Sequence, residues 1–164
     1  MQSVTIDALI HNRAAAEVFD TVSDFARYPA LVEAVRAVRV DPPTTDGALP
    51  SHWEVYFRNG ILRWSESDRL DRENLTITFE QTEGDFDVFR GEWILTADGE
   101  DTVLSFRSEF DFGVPSLASI IDPVAIRVLT ENMEFILLGL FDEQVTFRHA
   151  ASSLDRSARV PVPS

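Results

Sequence analysis

Apolar residues alternate with polar ones along most of this chain, and the alternation breaks at three places where the spacing turns helical. Residues 3–10 (SVTIDALI) put Val4, Ile6, Ala8 and Ile10 on one parity, which predicts a first strand. Ala15, Val18, Phe19, Val22 and Phe25 then recur at helical spacing, with Asn12 placed to cap the helix. A second helical piece, Tyr28 to Ala34, carries a proline in its first turn. Val35–Asp41 is a β-branched strand, and Asp41-Pro-Pro-Thr-Thr-Asp-Gly is a loop by composition. Three further strands, Leu75–Gln81, Asp87–Thr96 and Thr102–Phe112, are separated by Asp/Gly/Asn-rich turns, as in an antiparallel meander. The last element is a long helix, read as capped by Asp122 with Pro123 at its first position and running to about Arg148. Leu129, Met133, Ile136 and Leu140 form its apolar stripe, with Asn132 on the edge. Phe135–Phe141 is apolar nearly all round, which suits deep burial or a subunit contact such as a homodimer.

The hairpin His52–Leu70 is the most informative stretch. Asn59-Gly60 between two alternating runs suits a two-residue turn with φ > 0 at both positions. Counting outward pairs Phe57 with Leu62, Val55 with Trp64 and Trp53 with Glu66, and opposed residues share a face. One face then holds Trp53, Val55, Phe57, Leu62, Trp64, Glu66, Asp68 and Leu70. The other holds His52, Glu54, Tyr56, Arg58, Arg63, Ser65, Ser67 and Arg69. The first face is core-like yet carries two carboxyls.

Composition narrows what such a chain does. Its 164 residues are 45% hydrophobic and 26% charged, which fits one globular domain over 1–149, followed by a disordered polar tail at 150–164. A net charge of −14 argues against nucleic acid and anionic membranes as partners. No apolar run is long enough to span a bilayer, and the first residues lack a signal-peptide pattern, so a cytoplasmic location is expected. With no Cys and no Lys, thiolate sites, disulfides and Schiff-base chemistry are unavailable. His11, His52 and His149 are too scattered for a His-rich metal site, and no metal or other cofactor is expected.

Three stretches carry a family likeness: SDFARYPALVEAVRAVRV (23–40), RWSESDRLDRENLTITFEQTEGDFDVFRGEW (63–93) and SEFDFGVP (108–115). With Asn132-Met133-Glu134 on the last helix, they make the chain resemble the START/Bet v 1-like superfamily, in its polyketide cyclase/aromatase and coenzyme-Q-binding branch. The resemblance implies an α+β helix-grip fold. A curved antiparallel sheet of about seven strands would wrap around the long C-terminal helix, with two short helices after strand 1. It also implies a ligand cavity and a hydrophobic oxygenated ligand or polyketide intermediate, delivered in some members by an acyl carrier protein.

Aromatase/cyclases of this type carry a cavity-facing Ser-x-Arg on the strand after the hairpin. Alignment on the Asn59-Gly60 turn matches that motif to Ser67 and Arg69; alignment on Trp64 and Leu70-Asp71 matches it to Glu66 and Asp68. Pleat parity favours Glu66 and Asp68 as the inward pair, and a β-bulge between Trp64 and Ser67 would reverse the choice. Two carboxyls two residues apart on a strand have Cβ atoms roughly 7 Å apart on one side. In an apolar cavity they can divide acid and base roles. The expected site is therefore Glu66 and Asp68 as acid/base and Asn132 as a holder of substrate oxygen. Trp53, Trp64, Phe79, Phe86, Phe89, Trp93, Phe106, Ser108 and Met133 are its expected lining. Two readings stay open: a cofactor-independent cyclase promoting aldol-type ring closure or dehydration, and a non-catalytic carrier of a quinone, polyketide or lipid.

Overall fold

The computed structural model describes residues 1–57, 60–112 and 115–148, with backbone alone for 115–123 and 125. The order of elements is β1 (Gln2–Ile10), α1 (Ala15–Ser23), a 3₁₀ turn (Phe25–Arg27), α2 (Tyr28–Leu31), β2 (Val35–Val40), β3 (Leu49–Phe57), β4 (Gly60–Asp71), β5 (Thr76–Gly84), β6 (Val88–Asp98), β7 (Asp101–Asp111), α3 (Pro115–Phe141) and, after a 3₁₀ turn (Asp142–Gln144), β8 (Val145–Phe147). All strands join one sheet in the order β2-β3-β4-β5-β6-β7-β1-β8, with antiparallel pairing throughout. This is the helix-grip fold: a curved sheet closed around a long C-terminal helix.

The inward residues of each strand pack on α1 and α3 in one core. It unites Val4, Ile6 and Ile10 of β1, Val18, Phe19 and Val22 of α1, and Ile136, Leu137 and Phe141 of α3. Gly139 sets how closely α3 crosses α2, because a Cβ there would lie 2.5 Å from the Leu31 carbonyl oxygen. Gly91 is needed for a different contact. A Cβ on it would lie 2.2 Å from the Arg107 carbonyl oxygen and 2.7 Å from the Phe79 ring, so its neighbours are β7 and a core ring.

Several boundaries differ from the sequence reading. The N-cap of α1 is Ala14; Asn12 instead turns the chain with φ 57° and donates its N–H to Asp101 Oδ1 at 2.8 Å. Helix α3 begins at Pro115, so Asp122-Pro123 lies within it, and it stops at Phe141. Beyond it, Val145–Phe147 adds an eighth strand on β1. A three-residue strand is too short to show a period, and its pairing partner is far away in sequence. Phe135 and Leu138 stay exposed, so the 135–141 segment is not buried all round.

The hairpin register also differs. Phe57 pairs with Gly60 and Trp53 with Trp64, so Gly60 belongs to β4; Arg58 and Asn59 lie outside the described residues. Each partner therefore moves by two residues, and a shift of two leaves every side chain on its assigned face. A bulge does occur between Ser65 and Glu66 in the β4–β5 ladder, but the extra residue, Thr82, is on β5. The parity of β4 is intact. Leu70, assigned to the inner face, sits at the rim and is exposed.

Candidate functional site

Between the concave face of the sheet and α3 lies a cavity of about 80 Å³. Trp53, Trp64, Phe79, Phe86, Phe89, Trp93, Phe106, Ser108 and Met133 all line it, together with Glu66 and Asn132. The strands bring their members in through the pleat, since β3 to β7 each present alternate residues to one face. Phe25 and Tyr28 also line it. They come from the short helical segment after α1, where strand parity gives no signal; the Phe–Ala–Arg–Tyr spacing at i, i+3 was the available clue.

The rings pack on one another. Trp53 and Trp64 stack with centroids 5.9 Å apart and planes 2° from parallel. Phe86 stacks on Phe89 at 4.5 Å and on Phe112 at 5.1 Å. Phe86 is buried rather than standing at an open mouth, and the Gln81 side chain holds its backbone by donating to Phe86 O at 2.9 Å.

Glu66 and Asp68 are both buried, on the inner face of β4. Glu66 borders the cavity, whereas Asp68 lies behind it and is not part of the lining. The indole N–H of Trp64 donates to Glu66 Oε1 at 2.7 Å. Ser51 Oγ donates to Asp68 Oδ2 at 2.5 Å and itself accepts from the Trp53 indole at 2.8 Å. Asp68 Oδ1 is buried and meets no donor with hydrogen-bond geometry. Burial pushes the Glu66 carboxyl well above the ordinary carboxylate range, and the Asp68 carboxyl beside it pushes further in the same direction. Asp68 is also raised by burial, with Glu66 and Ser51 opposing the rise. The two carboxyls thus act on each other inside the fold, and both hold their protons more firmly than a solvated carboxyl does. Tyr28 is raised by burial and by both carboxyls, and its hydroxyl is already spent on the Val22 carbonyl at 2.6 Å.

Asn132 occupies the cavity wall, but its amide nitrogen donates to the Tyr56 carbonyl at 2.9 Å. The bond ties α3 to the end of β3 and engages one of the two N–H groups of that amide. Ser67 and Arg69 lie on the opposite, outer surface of the sheet, where Arg69 pairs with Asp46 at 2.8 Å. The alternative Ser-x-Arg alignment thus puts its two residues outside the cavity. Glu66 and Asp68 take the positions at which that motif would face inward.

Solved structures of similar shape were found at low sequence identity. The Thermus thermophilus protein TTHA0849 superposes with a TM-score of 0.78 at 22% identity, over 87% of this chain and 97% of that one. The ZhuI aromatase/cyclase from Streptomyces sp. R1128 gives 0.73 at 19% identity, over 87% and 93%. A START superfamily protein from Mycobacterium smegmatis gives 0.68 at 17%, over 85% and 92%. At such identities the likeness speaks for the fold. No curated protein sequence matches the chain. Residues 12–137, however, match the family model for polyketide cyclase / dehydrase and lipid transport, and the chain belongs to that family.

Proposed function

We propose that the chain, acting as a single domain over residues 1–149, is a cytoplasmic cyclase or dehydratase of polyketide-like substrates. It would fold an oxygenated, largely apolar chain in the cavity and promote aldol-type closure or loss of water. The supporting observation is Glu66, a carboxyl set in a largely apolar, ring-rich wall and holding its proton well above the usual range. Such a group can give its proton to a departing hydroxyl, which leaves as water, and the Glu66 carboxylate so formed can take the proton from the substrate's α-carbon, with Asp68 behind it tuning the pair. Positioning between the rings supplies the rest of the rate. An acyl carrier protein is the proposed source of the substrate.

A second reading, a carrier of a hydrophobic ligand, is favoured by the bond from Asn132 to Tyr56, which takes up one of the two N–H donors that would hold a substrate oxygen. Glu66→Gln separates the two. The cyclase reading expects turnover of a β-polyketone thioester to fall by about 10²-fold or more, with ligand affinity nearly unchanged. Unaltered turnover, or no wild-type turnover alongside tight ligand binding, assigns the chain to the carrier reading.

A further inference from the structure

We propose that the ligand of this cavity carries a basic nitrogen, held as an organic cation between the aromatic walls and the Glu66–Asp68 pair. The inference rests on the cavity being the ligand site, and is independent of whether Glu66 is catalytic.

Three observations carry it. The first is an acid pair with no counterion. Asp68 is fully buried; Ser51 donates to it, the Glu66 carboxyl is hydrogen-bonded to it, and among the described residues no cation pairs with it. Buried acids are ordinarily matched by a cation. No described lining residue of the cavity is Arg or His, and the chain has no Lys at all.

The second is the wall itself. The negative face of an aromatic ring attracts a cation, indole most strongly. Trp53 and Trp64 stand side by side in the lining, and Trp64 also binds Glu66 through its N–H. A ligand nitrogen near Glu66 would therefore meet a carboxyl and an indole together. The third is the overall charge of −14, which concentrates cations near the protein and repels anions before they reach the cavity. A ligand carboxylate or phosphate finds no Arg among the described lining residues to receive it, and a neutral ligand supplies the acid pair with no counterion.

Three probes of nearly equal shape test the idea: 1-naphthylmethylamine, 1-naphthalenemethanol and 1-naphthoic acid. Their affinities are read by calorimetry at pH 7, in moderate and in high salt. The amine should bind at least about tenfold more tightly than the alcohol, and the acid should be the weakest of the three. The preference should persist in high salt, because buried charges are poorly screened. The double substitution Glu66→Gln/Asp68→Asn, which removes both ionisable groups, should abolish the amine preference, read as the ratio of amine to alcohol affinity. Alcohol binding equal to or tighter than the amine overturns the nitrogen but leaves the cavity as ligand site. An amine preference that survives both substitutions, or vanishes in salt, assigns it to surface charge and also overturns the inference. Failure of all three probes to bind removes the cavity reading with it.

Discussion

Replacing Glu66 with glutamine should make the protein more stable at neutral and alkaline pH, although it alters a buried residue. Glutamine has nearly the same shape. Its Oε1 can keep the bond from the Trp64 indole, and its amide can donate toward the Asp68 oxygen that has no partner. The substitution removes a titration whose sign follows from the raised folded-state pKa of Glu66. Between the unfolded value, near 4.3, and the higher folded value, the native state holds a proton that the unfolded chain has released. Stability therefore falls as pH rises through that window, by about 1.4 kcal/mol per pH unit for each extra proton held. It is fully retained only below the unfolded value. The glutamine variant lacks this slope, so its advantage over wild type should widen with pH across the window and then level off. Tyr28 shares the pocket, but burial and the two carboxyls raise its ionisation further still. The exposed Asp46, lowered to about 2, acts only at the acid end and equally in both proteins. Urea unfolding of both proteins at pH 5, 6, 7 and 8 measures the difference directly. A gap that does not change with pH, or a variant less stable throughout, would refute the account of Glu66 as a buried carboxyl with a raised ionisation.

Three other substitutions report on neighbouring features. Ser51→Ala removes the hydroxyl donor of buried Asp68 and should cost about 1–3 kcal/mol by denaturant melt, the penalty of an unsatisfied buried group. Gly139→Ala should destabilise by about 1–3 kcal/mol through overpacking, although alanine gains about 1 kcal/mol in helix propensity, because its Cβ would strike the Leu31 carbonyl. Ser67→Ala and Arg69→Ala, on the outer face, should leave probe binding unchanged and stability within about 0.5 kcal/mol; a large loss of binding in either would put the Ser-x-Arg alignment back in play.

Much of the site could be read in the sequence because a strand has a period of two. The hairpin count misplaced the turn by one residue at each strand end, yet Glu66, Trp64 and Trp53 kept their face, since the partners moved by two. The bulge that could have turned Glu66 outward fell on Thr82 of β5, a choice that nothing local in 64–67 encodes. Other features depended on tertiary contacts. Asn132 could be placed on the helix edge from its spacing, but its bond to Tyr56 follows from where α3 crosses β3. That Glu66 borders the cavity while Asp68 lies behind it involves the adjacent strand, where Ser51 donates to Asp68 and is itself held by the Trp53 indole. Asp122-Pro123 reads as a helix start by local chemistry, while the backbone is already helical from Pro115. Local preference there yields to the long-range fold.

The close crossing at Gly139 gives the molecule a mechanical asymmetry. The C-terminal end of α3 is wedged against α2 at that glycine and sunk into the core through Leu137 and Phe141. Its cavity-facing middle carries half-buried Leu129 and Met133 and the bond from Asn132 to Tyr56. A rod fixed near one end behaves as a lever. The cavity of about 80 Å³ is small beside the roughly 300–1,000 Å³ of ordinary ligand pockets. Widening it is therefore easiest by tilting α3 about Gly139, with the Asn132 amide as the latch that must let go first.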